Sequence, residues 1–148
     1  MTPARDGRSR LSSRAASAQA GRMHAVRTVL VALVAVEHVY ILILEMFLWT
    51  TPRGRKVFGL TPEFATASKA LAANQGLYNG FLAAGLFWSL FPSITVSSGA
   101  LQGFFLSCVI VAALFGAATA KRSILFVQGG PAILAMAALL ADATLGAR

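Results

Sequence analysis

The chain has 148 residues, of which 57% are hydrophobic and only 12% charged, with a formal net charge of +8 and a mean hydropathy of +0.70. A water-soluble domain carries about a quarter charged residues, and one this small leaves much of its surface exposed, so the composition excludes an ordinary soluble fold and selects lipid as solvent. The basic residues lie between apolar runs rather than along a stripe with exposed aromatics. Nucleic acid is therefore not an expected partner despite a pI near 11.2; the expected partner is the lipid bilayer.

Residues 1–22 are rich in Arg, Ser and Ala, with Asp6 the only acid. They read as a disordered basic tail, or as residues ahead of a true translation start at Met23. Residues 23–148 read as one transmembrane domain, an all-α integral membrane bundle of four helices.

The first span is expected over about 26–49, enough to cross a hydrocarbon core ~30 Å thick at ~1.5 Å per residue. Phe47 and Trp49 mark an aromatic belt, and Thr50-Thr51-Pro52 stops the helix. The length of this apolar run and its Glu37, His38 and Glu45 exclude a signal peptide. Thr61-Pro62-Glu63 reads as N-cap, N1 proline and acidic first turn of a second helix that spans over 71–91 and ends at Pro92. The third span is 99–120, closed by Lys121-Arg122. The fourth is 123–141, and its Gln128-Gly129-Gly130-Pro131 predicts a kink or local loosening. Basic residues after the first and third spans place those loops in the cytoplasm, but the five arginines of the tail nearly cancel the bias. Cys108, alone in an apolar run, reads as a small hydrophobe.

Ionisable groups in the spans carry the functional reading. Glu37, Ile41 and Glu45 form an i, i+4, i+8 stripe, with His38 on the same third of the helix. A carboxylate at mid-bilayer costs ~2.5–3.5 kcal/mol even on insertion scales, so these groups must face inward. The second span offers Asn74, Gln75, Tyr78 and Asn79 on one arc, beside a small-residue stripe Ala72, Gly76, Gly80 and Ala84. The third repeats the device with Ala112, Gly116 and Ala120. The expected site is an intramembrane polar pocket of Glu37, His38, Glu45, Asn74, Gln75 and Asn79, with Gly76, Gly80 and Gly116 as packing positions. Its alternative is plain interhelical glue, worth ~0.6 kcal/mol per contact. Metal ligation is not expected, since adjacent Glu37 and His38 diverge by about 100° and no second histidine lies within a span. No phosphate loop, nucleophile elbow or HExxH occurs, and no cofactor is expected.

Residues 36–55 (VEHVYILILEMFLWTTPRGR), 71–84 (LAANQGLYNGFLAA), 115–119 (FGAAT) and 127–132 (VQGGPA) resemble the bacterial membrane-protein family catalogued as domain of unknown function 1304. That resemblance covers nearly everything from Met23 onward. It implies a compact protein of about four transmembrane helices in the bacterial cytoplasmic membrane, and no assigned catalytic residues. Three functions follow in order of preference. The first is a membrane protein whose pocket handles a lipid-like or small ligand, or protons. The second is a membrane-embedded acid–base enzyme, with Glu37 or Glu45 as base and His38 as acid. The third is an accessory subunit of a larger complex. The bundle is narrow, so transport would call for a homo-oligomer.

Overall fold

The computed structural model describes residues 4–91 and 97–146, with side chains from residue 10 onward. Every described element is helical: α1 (Ala4–Met46), α2 (Pro52–Phe58), α3 (Pro62–Ala67), α4 (Lys69–Trp88), α5 (Ser98–Thr119), a π-helical segment (Leu125–Gly129) and α6 (Gly130–Gly146). Pro92, read from the sequence as the stop after the second span, lies outside the described residues.

Helix α1 has 43 residues, about 64 Å at the usual rise. It begins far ahead of the position near residue 26 expected for the first span, because Ala, Arg and Ser tolerate helix and the apolar stretch supplies a formed nucleus on which the basic segment propagates. Its C-terminus comes at Met46, earlier than expected. Pro52 opens the next helix rather than closing this one. The Thr51 hydroxyl accepts from the Gly54 N–H at 3.2 Å and donates to the Leu48 carbonyl at 2.7 Å, and Pro52 takes N1, where no N–H is needed. Gly54 is buried against the Leu48 carbonyl, closer than any Cβ would permit. Gly59, at φ 71°, ends α2.

Thr61 caps α3, accepting from the Phe64 N–H at 3.2 Å, with Pro62 at N1 and Glu63 in the first turn. The helix expected to run unbroken from Pro62 divides at Ser68, whose hydroxyl donates to the Phe64 carbonyl at 2.6 Å and accepts from the Trp49 indole N–H at 3.0 Å. The Trp49 ring rests on Phe58, with 4.7 Å between centroids. One tryptophan thus ties the end of α1 to α2 and to the start of α4.

Among the described residues the longer helices α1, α4, α5 and α6 pack on one another. α1 packs chiefly on α4 and then on α6, and α5 packs on α4 and α6, so α1 and α5 stand on opposite corners. α4 runs antiparallel to α1, since Gly76 meets Glu45 and Met46 whereas Gly80, one turn later, meets Leu42. The apolar core gathers Val31, Val34 and Ala35 of α1, Leu86 of α4, Leu106 and Val109 of α5, and Ala132 and Ala135 of α6. Small residues on α6 and α4 let the backbones approach. Gly76 faces Leu42, Glu45 and Met46 of α1, Gly80 faces Leu42, Gly85 seats the Phe105 ring, and Gly116 faces Ile124.

Among the described residues three helical stretches, not four, are long and apolar enough to cross a membrane: residues 10–46, 98–119 and 125–146. α4, read from the sequence as the second span, has 20 residues and the length, but its Asn74, Gln75, Tyr78 and Asn79 dilute its apolar character. The loosening expected around residues 128–131 is the π-helical segment, where the Gly130 N–H bonds to the Leu125 carbonyl. Pro131 has no N–H with which to continue an α-helical ladder there.

Candidate functional site

Helix α4 buries Ala72, Gly76, Asn79, Ala83 and Leu86. That spacing of three and four residues is the seam of a helix pair, and α1 occupies the other side. α1 contributes Val34, His38, Ile41 and Glu45 to its own buried face. Glu45 and Asn79 meet across the seam: the Asn79 Nδ2 donates to the Glu45 Oε2 at 2.8 Å, and each residue is 9% exposed. Asn79 also reaches the Gln75 carbonyl one turn back at 3.3 Å. With Gly76 below Glu45 and Met46, the carboxylate is held between two backbones, its hydrogen-bond donor supplied by the facing helix.

The other four sequence-derived residues are placed differently. His38 is 1% exposed, and its Nδ1 lies 2.8 Å from the Val34 carbonyl of its own helix, so its side chain is bonded to neither glutamate. Glu37 is half-buried at the edge of the seam and has no hydrogen-bond or ion-pair partner among the described residues. Asn74 and Gln75 are exposed. They share an arc of α4 with Asn79, but only the Asn79 end of that arc coincides with the buried seam. Depth separates the set as well. Glu37 and His38 lie near the middle of the stretch from Arg27 to Met46, whereas Glu45 is one residue from the end of α1. No group of three or more His, Cys, Asp or Glu able to hold a metal occurs among the described residues.

Sequence reasoning missed a second polar contact, at the opposite end of the bundle. Arg27 Nη1 and Asp142 Oδ2 are 2.7 Å apart, with side chains 14% and 13% exposed, and His24 Nδ1 lies 3.5 Å from the same carboxylate oxygen. The signal was present: antiparallel short-loop topology returns the C-terminal end of the last helix to the start of the first span. Gln102 on α5 is legible in the sequence as an amide within the third span, but not its partner: it is 1% exposed and its amide donates to the Ser89 carbonyl at 3.3 Å.

The comparisons with known proteins bear on the same residues. The family model described as "Protein of unknown function (DUF1304)" matches residues 32–140. The chain is similar, at 37% identity over 108 residues, to the "Uncharacterized protein YpaA" of Lactococcus lactis subsp. lactis (strain IL1403); the match spans 70% of this chain and 87% of the relative. No solved structure matches. The chain belongs to the DUF1304 family, and the matched region includes Glu37, His38, Glu45, Asn79 and Gln102 but stops short of Asp142.

Proposed function

We propose that this member of the DUF1304 family is a small integral membrane protein of four spans, α4 being the fourth, whose seam between α1 and α4 handles a small polar or lipid-like ligand, or protons. The observation that carries the reading is the buried Glu45–Asn79 bond. An acid in this setting is costly unless it is paired or used, and Glu37 lies two turns along α1 toward the bundle's middle without a partner of its own among the described residues. α4 is admissible as a span because Asn79, its most deeply placed amide, faces α1, while Asn74 and Gln75 fall within its first two turns, near the headgroups.

The packing argues against the glycine stripe as a recruitment face. Gly76 and Gly80 are already covered by Leu42, Glu45 and Met46 of the same chain. An open apolar furrow does run along the outer face of α5, lined by Phe104, Ser107, Cys108, Val111, Ala112 and Phe115. It has no polar chemistry beyond one hydroxyl and one thiol, and acyl chains suit it.

Labelling with dicyclohexylcarbodiimide, a lipid-soluble reagent for carboxyl groups, tests the proposal on the full chain in nanodiscs. One adduct at Glu37 is expected, lost in Glu37→Gln and slowed when a bacterial lipid extract replaces synthetic phosphatidylcholine. Equal labelling by a water-soluble carbodiimide would place Glu37 at an aqueous surface and remove the ligand-handling reading.

A further inference from the structure

Helix α2 folds back toward α1. Gly54 sits against the Leu48 carbonyl, the Trp49 ring rests on Phe58, and the Trp49 indole donates to Ser68 at 3.0 Å. This turn brings the Arg53 guanidinium over the Tyr40 ring, 5.9 Å from its centroid, with Nη2 donating to the Tyr40 hydroxyl at 3.5 Å. Tyr40 lies six residues before the end of α1, about 9 Å along the axis, so Arg53 reaches back along the helix rather than out from it. We propose that this elbow between α1 and α2 binds an anionic phospholipid, with Arg53, Lys56 and Tyr40 donating to the headgroup phosphate. Tyr40 and Glu45 are about 140° apart around α1. The surface therefore lies outside the α1–α4 seam and shares with that reading only the membrane setting.

Charge selects the anion. Residues 50–70 hold Arg53, Arg55, Lys56 and Lys69 against Glu63 alone. Glu63 interacts electrostatically with Arg55, and among the described residues no carboxylate pairs with Arg53, Lys56 or Lys69. All three side chains are exposed. Arg53 and Lys56, three residues apart, share the outer face of α2, since Gly54 and Phe58 take the inner one. The hydrogen-bonding groups agree. The guanidinium has donors beyond the one given to Tyr40, the Lys56 ammonium has three, and the Tyr40 hydroxyl accepts from Arg53 with its own proton given to no described residue. The two cations cannot accept. What this exposed set lacks is an acceptor with negative charge, and a phosphate oxygen is one.

The surroundings select a lipid over a soluble anion. Phe47, Val57, Phe64 and Leu71 are exposed at the same end of the bundle as these cations, so a phosphate that arrives with acyl chains satisfies both, whereas a free one leaves the apolar collar in water. Depth agrees, because an arginine drawn inward from the end of a span is tolerated by pulling water and headgroups toward itself. Tyr40 and Trp49 are residue types that gather at the membrane interface. A net negative lipid is favoured over a zwitterionic one, since a choline or ethanolamine cation would lie among Arg53, Lys56 and Lys69 with no carboxylate to offset it.

The experiment uses the full chain carrying Trp88→Phe, which leaves Trp49 as the single tryptophan, in nanodiscs of phosphatidylglycerol and phosphatidylcholine in equal parts. One lipid at a time is supplied brominated on its acyl chains, and quenching of Trp49, at the corner of the elbow, reads which lipid is adjacent. Phosphatidylglycerol should quench as though enriched about fivefold over phosphatidylcholine. Arg53→Gln and Lys56→Gln should each bring the two lipids to within about twofold of one another, while Arg53→Lys keeps most of the preference. Should Arg53→Gln lose its helical circular dichroism, Lys56→Gln carries the same readout. Carbodiimide labelling of Glu37 is measured separately, so this proposal and the reading of the seam can fail independently. Equal quenching by the two lipids overturns the proposal and leaves these cations as topology determinants only. A preference that survives both Gln variants overturns it too. So does displacement of phosphatidylglycerol by inorganic phosphate at an ionic strength where chloride has no effect, which identifies a soluble anion as the ligand.

Discussion

Glu45 of α1 accepts a hydrogen bond from Asn79 of α4 at 2.8 Å, and both residues are almost wholly enclosed by the chain. A buried acceptor that loses its donor forfeits more than the bond is worth, because the carboxylate has no water to fall back on. Asn79→Leu should therefore destabilise the protein by about 1–2 kcal/mol, toward the upper end of interhelical polar contacts in membranes. The double variant with Glu45→Leu should recover much of the loss. Unfolding titrations in mixed micelles measure both, and a neutral Asn79→Leu would show that the bond does not hold α4 to α1.

The glycines of the bundle should divide sharply. A Cβ on Gly76 would lie 2.6 Å from Met46 Cγ and 3.2 Å from the Leu42 carbonyl oxygen, a backbone atom that cannot step aside. Gly76→Val should cost about 1–3 kcal/mol through overpacking. On Gly103 the nearest atom is Leu139 Cδ2 at 3.8 Å, an ordinary contact, so Gly103→Ala should stabilise by about 0.5–1 kcal/mol through helix propensity. Melting temperatures that moved in the same direction for both would contradict the packing described.

The Arg27–Asp142 pair, with both side chains about seven-eighths enclosed, fastens α1 to α6. Asp142→Leu leaves the guanidinium unpaired and should cost about 2 kcal/mol, less than the 3–5 kcal/mol of a fully buried break because solvent reaches part of the pair. Combining it with Arg27→Met should restore most of that stability. A double variant as weak as Asp142→Leu alone would deny the coupling.

Glu63 lies outside the apolar spans. Its own backbone N–H and the Thr61 hydroxyl, followed by the more distant Arg55, hold its carboxyl below the ordinary 4.5. A carboxylate whose pKa is lowered on folding contributes fully above its unfolded value and loses that contribution as pH falls through the folded one. Amide exchange at the start of α3, corrected for intrinsic rates, should therefore be unchanged from pH 7 down to about 5 and accelerate below 4.5. In Glu63→Gln this acid step should vanish.

Cys108 lines the outward furrow of α5 and carries the chain's one thiol. A nitroxide attached there should collide readily with dissolved oxygen and poorly with a water-soluble nickel chelate, the pattern of a site facing acyl chains. The reverse ratio would put α5 in water.

Much of the architecture was legible in the chain because long apolar runs and helix caps follow strong local rules. Apolar runs of 20 or so residues favour helices, since in a hydrocarbon setting no water satisfies a bare backbone, and α5, and the π-helical segment continued by α6, lie within a few residues of the spans read from hydropathy, apart from the C-terminal extension of α6 to Gly146. Thr61-Pro62-Glu63 announced a capped start, and the Gly129-Gly130-Pro131 run a loosened turn, because capping and ladder-breaking are decided by neighbours in sequence. The reading of Pro52 failed for a related reason. A proline can end one helix or begin the next, and which it does depends on Thr51 finding the Gly54 N–H.

The residues that meet were a different matter. Helical spacing placed Glu37, His38 and Glu45 on one face of α1 and four polar residues on one arc of α4. It could not say that only Glu45 and Asn79 would touch, that His38 would turn to the Val34 carbonyl, or that Asn74 and Gln75 would lie outside the seam. Those outcomes depend on the rotation of α4 against α1, which the steric fit of Gly76 and Gly80 under Leu42 and Met46 decides. Arg27 with Asp142, and Gln102 with Ser89, are likewise products of antiparallel return over 115 and 13 residues of chain. Composition by itself marked out helices apolar enough to cross a membrane, because transfer into lipid is summed residue by residue. The polar partnerships were left to tertiary structure, because each requires two helices to present the right faces at the same depth.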